Sequence, residues 1–204
     1  MIISHKYKFI FIKTQKTAGT SIEVTLSPYL GLDDIATPIF PKELGHIARN
    51  YSNEKSNGPD FYNHISAIEI LDIIPKDIFA SYYKFCVERE PVDKCLSHYS
   101  MLKNSPFHNE ANQNLSWKEY VQQAKFPNDF RKYTDSAGNL IVDEIVRYEE
   151  LHRRFPELMR QLGVPINQIT ARAKSGFRER LVVTDKETKA IYSHFSNCCK
   201  IVGY

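Results

Sequence analysis

The chain has 204 residues, 42% of them hydrophobic and 25% charged. That balance excludes a mostly disordered chain and allows a core that needs no disulfide staples. Twenty-seven Lys and Arg stand against 24 Asp and Glu, a net charge of +3; so mild an excess suits a small anionic ligand and argues against nucleic acid as the partner. Cys86, Cys95, Cys198 and Cys199 form no CxxC pair and no zinc spacing, so they read as thiols in a reducing compartment. No apolar run approaches the ~20 residues of a membrane-spanning helix, and the opening MIISHKYKFIFI has no signal-peptide pattern. A cytoplasmic, single-domain protein over 1–204 is the expectation.

In chain order, Phe9-Ile10-Phe11-Ile12 is a short apolar and β-branched run that predicts a buried strand. A polar turn, Lys13 to Gly19, leads into Thr20–Leu26, which can begin a helix. Ser27 to Tyr62 is rich in Pro, Gly, Asn and Asp and predicts a long loop or lid with little regular structure. Ser66-Ala67-Ile68-Glu69 is a capping-box pattern, opening a short helix that Pro75 ends. Tyr82 to Val87 is the second clear strand, and a helix from Pro91 to about Lys103 follows it, with proline at its first turn. Asn104 to Asn114 is another polar loop. Ser116 and Glu119 open a helix to about Ala124, Gly138-Asn139 turns into a strand over Leu140–Val146, and Glu149–Leu162 is an amphipathic helix that Gly163 and Pro165 stop. Thr184 to Glu187 caps a last helix carrying Ile191, Tyr192 and Phe195. Strands alternating with helices in this way predict an α/β fold with a central parallel sheet flanked by helices.

The chemistry concentrates between the first strand and the first helix, in Lys13-Thr14-Gln15-Lys16-Thr17-Ala18-Gly19-Thr20-Ser21. Backbone N–H groups and the helix dipole favour an anion at such a junction. Gly19 allows close backbone approach or a positive φ, Thr17, Thr20 and Ser21 carry hydroxyls, and Lys16 adds a mobile charge. The segment is no Walker A loop, because Lys16 precedes Gly19 and Thr20 stands where the Walker lysine belongs. From residue chemistry alone it is an anion cradle or an ordinary strand-to-helix connection. The second element is Phe85-Cys86-Val87-Glu88-Arg89-Glu90-Pro91, with Ser97 on the helix beyond. An arginine at the carboxyl end of a buried strand projects where α/β sheets bind ligands and can grip a phosphate bidentately. The alternative is a surface ion pair of Arg89 with Glu88 or Glu90.

Together the two segments resemble the paired signatures of the sulfotransferases that use 3′-phosphoadenosine 5′-phosphosulfate (PAPS). IKTQKTAGTSIE is similar to their 5′-phosphosulfate loop, and FCVEREPVDKCLSHY to the strand–helix that holds the 3′-phosphate. NHISAIEI at 63–70, VDEIVRYEEL at 142–151 and the closing VGY extend the likeness, in the manner of the bacterial and glycan-modifying, heparan-sulfate-type branch. The resemblance implies a P-loop-like sulfotransferase fold and metal-free, in-line transfer of the sulfuryl group from PAPS to a hydroxyl, with 3′,5′-adenosine bisphosphate (PAP) as product. The acceptor it implies is a hydroxyl-bearing small molecule or glycan, a carbohydrate above all.

Carried over by position, Lys16 would stabilise the leaving phosphate, while Thr17, Ala18, Gly19, Thr20 and Ser21 would bind the 5′-phosphosulfate. Arg89 and Ser97 would hold the 3′-phosphate. His64, just before a helix in a His-x-Ser-Ala pattern, would be the base that takes the acceptor's proton; its other reading is a helix-flanking residue that packs or bonds to Ser66. Lys174 and Arg178, in the basic run after Ala171, would be further phosphate contacts, or else part of a solvated loop. Tyr29, Phe40, Tyr51, Phe61 and Tyr62 offer rings for stacking on an acceptor, or for packing. Glu88 departs from the apolar residue relatives place before the arginine, and Lys94 replaces a common arginine at what reads as a solvated position. Two other functions compete: a kinase with a degenerate P-loop, and a non-catalytic nucleotide-binding protein.

Overall fold

The computed structural model describes residues 1–52, 60–173, 179 and 181–204. In chain order its elements are β1 (Ile2–Ser4), β2 (Phe9–Ile12), α1 (Gly19–Leu26), β3 (Ile35–Ala36), α2 (Ala67–Ile73), α3 (Lys76–Ser81), β4 (Tyr83–Glu88), α4 (Pro91–Asn104), α5 (Trp117–Gln123), β5 (Glu144–Arg147), α6 (Leu151–Gln161), α7 (Asp185–His194) and α8 (Ser196–Val202). They fall into two compact units, one of Met1–Glu88 with Asp129–Ala173, the other of Arg89–Asn128 with Lys174–Tyr204. No helix among the described residues is long and apolar enough to cross a membrane.

The first unit is built on a five-stranded sheet in the order β3-β1-β2-β4-β5. Strands β2, β4 and β5 run parallel, in register Phe11 to Phe85 and Cys86 to Ile145. Strands β1 and β3 extend that edge in antiparallel fashion. All four residues of β2 are fully buried, because a central parallel strand is covered on both faces. Alternation divides its side chains. Phe9 and Phe11 join Phe85, Val87, Ile22 and Leu26 of α1, and Phe155 and Leu158 of α6. Ile10 and Ile12 join Cys86, Ile70 of α2, Phe79 of α3 and Tyr133 on the opposite face. The unit is therefore α/β/α in layers, and the carboxyl end of β2 delivers the chain to the start of α1.

The α/β class stands, with corrections in detail. The sheet is mixed, since β1 and β3 add two antiparallel pairings that the brevity of these strands hides. The Ser27–Tyr62 stretch holds a 3₁₀ turn at Ser27–Tyr29 as well as β3. Instead of Leu140–Val146, the last strand is Glu144–Arg147; Leu140 is held only by an isolated bridge to Thr134 and is 45% exposed. Past Pro75 the chain re-enters a helix, α3, with that proline as its N-cap residue.

The second unit packs aromatic rings. Tyr99 of α4 meets Trp117 and Tyr120 of α5 at ring-centroid distances of 5.5 and 5.6 Å, and Phe126 meets Phe195. Cys95 is buried beside them, and burial pushes its thiol up to about 12. All four cysteines are present as thiols.

Candidate functional site

The segment between β2 and α1 is shaped by its backbone. Lys16 and Ala18 both have left-handed φ, 61° and 62°. Left-handed residues at alternate positions turn neighbouring N–H groups to one side, a concavity suited to an anion. Ala18 is the N-cap of α1 and supplies no side-chain hydrogen bond, and the first turn holds no acidic residue. The first amides of α1 thus have neither an intrahelical acceptor nor a side-chain cap. Gly19, expected to serve either a positive φ or a close approach, serves the second. A Cβ there would lie 2.7 Å from Cγ of Lys13.

Lys13 is one residue whose role the sequence did not show. Its side chain is 3% exposed, runs along Gly19 and ends 2.5 Å from Oε2 of the fully buried Glu23. Burial pushes the Glu23 carboxyl up, but the Met1 amino group and Lys13 outweigh it and hold the group below the usual carboxylate range. The hydroxyls divide in role. Thr14 donates to the carbonyl of Val87 and Thr17 donates to that of Thr14 at 3.2 Å, so the Thr17 side chain, 1% exposed, braces the loop. Ser21 Oγ accepts the Ala173 amide at 3.1 Å, and Thr25 Oγ1 accepts that of Thr170. Thr20 and Lys16 are half-buried.

His64 lies in the same unit, itself with φ 66°. Its Nδ1 is 3.0 Å from the Lys13 carbonyl; a carbonyl only accepts, so Nδ1 carries the proton and Nε2 is the acceptor nitrogen. Burial, with the Lys13 charge second, pushes its pKa down to about 4, and the ring is neutral at pH 7. The alternative bond of His64 to Ser66 is not the one formed, since the Ser66 side chain caps α2. Two further side chains meet these segments. Asp129 Oδ2 accepts the Gln15 amide at 2.6 Å, and Lys132 Nζ donates to the His64 carbonyl at 2.5 Å.

In the second unit, Arg89 is 6% exposed and its Nε lies 2.6 Å from Oδ2 of Asp93, one helical turn on. At that burial its ion pair with Asp93 is not a surface one. Glu90 instead caps α4, accepting the Val92 and Asp93 amides, and receives the Tyr192 hydroxyl at 2.8 Å. Ser97 is half-buried on α4. Lys94, taken as solvated, is fully buried. Lys174 and Arg178 lie outside the described residues. Of the acceptor-facing rings expected in the 27–62 stretch, Phe61 belongs to the core, and Tyr29 and Tyr51 pack against it. Phe40 is 75% exposed and Tyr62 44%.

Two comparisons bear on this arrangement. An uncharacterised protein of Archaeoglobus fulgidus is 34% identical over 100 residues, which is 47% of this chain and 80% of that protein. The model described as the Sulfotransferase family matches residues 1–199, a span that takes in the Lys16–Ser21 loop, His64, Arg89 and Ser97. With nearly the whole length matched, the chain belongs to the sulfotransferase family, whose general chemistry is sulfuryl transfer.

Proposed function

We propose that the protein transfers the sulfuryl group of PAPS to a carbohydrate hydroxyl without a metal ion, as a member of the bacterial, glycan-type branch. The observation that carries this reading is His64, a neutral imidazole with its proton fixed on Nδ1 by the Lys13 carbonyl. That leaves Nε2 to accept a proton, as a base for a hydroxyl must.

The amides of Thr17 to Ser21 receive the oxygens of the 5′-phosphosulfate at the uncapped start of α1. Thr17 contributes its amide, because its hydroxyl is occupied within the loop. Lys16 neutralises charge on the phosphate oxygen as the sulfur–oxygen bond to it breaks. Meanwhile Nε2 of His64 takes the proton of the acceptor oxygen, which bonds to sulfur. Arg89 and Ser97 hold the 3′-phosphate of the nucleotide, and Asp93 orients the Arg89 guanidinium. Lys174 and Arg178 add phosphate contacts. A His64 pKa of about 4 makes a weak base in the absence of ligand, and the donor's negative charges raise it. The exposed rings of Phe40 and Tyr62 support a sugar as acceptor, offering faces on which it can stack. Residues 1–204 act as one domain; the chain passes from one unit to the other after Glu88, Asn128 and Ala173. Its thiols suit the cytoplasm.

Calorimetric titration with PAP in EDTA, with AMP and Mg·ATP in parallel, tests this reading. Binding of PAP that is lost without the 3′-phosphate is the expected result. Binding of Mg·ATP in place of PAP would overturn it in favour of a kinase, and PAP binding with no turnover of PAPS on any glycan would leave a binding protein.

A further inference from the structure

We infer that Asp129 and Lys132 are positioning residues, a bracket that locks His64 and the anion-binding loop into one register. The inference rests on the sulfuryl-transfer reading for its kinetic consequence and on the structure for its geometry.

Three chain segments, distant in sequence, close a ring of hydrogen bonds. Gln15 N–H donates to Asp129 Oδ2 at 2.6 Å, across 114 positions of sequence. Lys132 Nζ donates to the His64 carbonyl at 2.5 Å, and the third side of the ring is His64 Nδ1 to the Lys13 carbonyl at 3.0 Å. Both bracketed segments carry left-handed residues, Lys16 and His64, conformations that persist only where the surroundings hold them. The bracket itself is firmly founded. It is a 3₁₀ turn, Phe130–Lys132, entered from Asp129 at 1% exposure and left through the fully buried Tyr133. Tyr133 joins the core beneath β2 and β4, and its hydroxyl donates to Glu88 at 3.3 Å. Thr134 closes the turn by donating to the Phe130 carbonyl.

A structural brace alone would need no charges, yet the two arms carry opposite ones and both act on the imidazole. Among the described residues, Lys13 and Lys132 disfavour its protonation and Asp129 favours it. The bracket therefore fixes where Nε2 sits and also how basic it is. Neither residue touches the reacting atoms; both act through His64 and the loop.

The test uses the full chain as wild type, Lys132→Met, Asp129→Asn and Asp129→Ala. It follows the His64 ring by NMR over pH, PAP affinity by calorimetry, and kcat and KM with PAPS. Lys132→Met should move the His64 titration up and lower kcat by about tenfold to a hundredfold, since small misplacements of a reacting group cost that much; PAP affinity should hold within about threefold. Asp129→Asn keeps an oxygen for the Gln15 amide, so it should preserve PAP affinity while moving the His64 titration down. Asp129→Ala leaves that amide unpaired and should weaken PAP at least tenfold. An unmoved His64 titration in both Lys132→Met and Asp129→Asn overturns the bracket, as does an equal loss of PAP affinity in the two Asp129 variants. Were the wild type to bind no PAP, the sulfuryl-transfer reading would fail by itself, and the NMR titrations would still decide the bracket.

Discussion

At the start of α2, Ser66 accepts the amide of Glu69 at 3.3 Å and Glu69 accepts that of Ser66 at 3.0 Å, so two of the donors at that helix start are satisfied by its own side chains. At the start of α1, in the same unit, Ala18 offers no side-chain oxygen and the first turn no carboxylate. Both sequences begin with small and hydroxyl residues, Ser-Ala-Ile-Glu in one and Ala-Gly-Thr-Ser in the other. A serine at the N-cap and a glutamate at the third helical position together separate a closed helix start from an open one. An open start has stability to gain from a bound anion, and a closed one has little. Changes at the open start should register in ligand binding, and changes at the closed one in stability alone.

The sharpest way to break that contrast is Lys16→Ala, expected to lower turnover of PAPS by about a hundredfold to a thousandfold with an unchanged circular-dichroism spectrum. Turnover that survives would return α1 to being a mere strand–helix connection. Next in size is His64→Asn, which tolerates the left-handed backbone and keeps a donor for the Lys13 carbonyl. It should lower kcat about a hundredfold with PAP affinity held. The same variant carries a pH signature. His64 titrates near 6.5 when unfolded and at about 4 when folded, so the stability it contributes is complete above ~6.5 and lost as pH falls toward 4. Urea midpoints at pH 7.5 and 4.5 should therefore differ less in His64→Asn than in wild type.

Smaller effects follow at the two helix starts. Gly19→Ala drives a methyl against the Lys13 stem and should cost about 1–3 kcal/mol, read as a lower urea midpoint together with weaker PAP binding. Ser66→Ala removes a cap worth about 1 kcal/mol and should lower Tm by ~2–4 °C while PAP affinity stays where it was. Equal effects of the two on PAP would erase the distinction between open and closed starts.

Much of this was legible in the sequence because local chemistry decides it. An apolar run bounded by polar turns gave β2, Pro91 marked the first residue of α4, and three hydroxyl–glutamate patterns marked α2, α5 and α7. Lys16 drew attention by its place in the loop between β2 and α1, and His64 by family likeness alone. What stayed hidden depends on tertiary proximity. Strands of three and two residues, β1 and β3, hold no countable period and exist because β2 offers them an edge. Lys94 looks like any polar helix position until its burial is seen. Asp129 and Lys132 sit in an unremarked polar stretch, and only the fold carries them to Gln15 and His64. Local signals identified groups able to do chemistry, whereas the groups that hold them in place came from elsewhere in the chain.

The Lys13 side chain lying along Gly19 has an evolutionary consequence. Position 19 is restricted by a neighbour's methylenes, because Gly19 itself sits at the start of α1 without a positive φ. Its permitted alphabet is therefore written at position 13: a short side chain there would make room for alanine, and the stretched lysine forbids it. Substitutions at the two positions should be strongly non-additive, in the manner of contacting residues. In a lineage that lost the Lys13–Glu23 pair, the glycine would be the next residue free to drift.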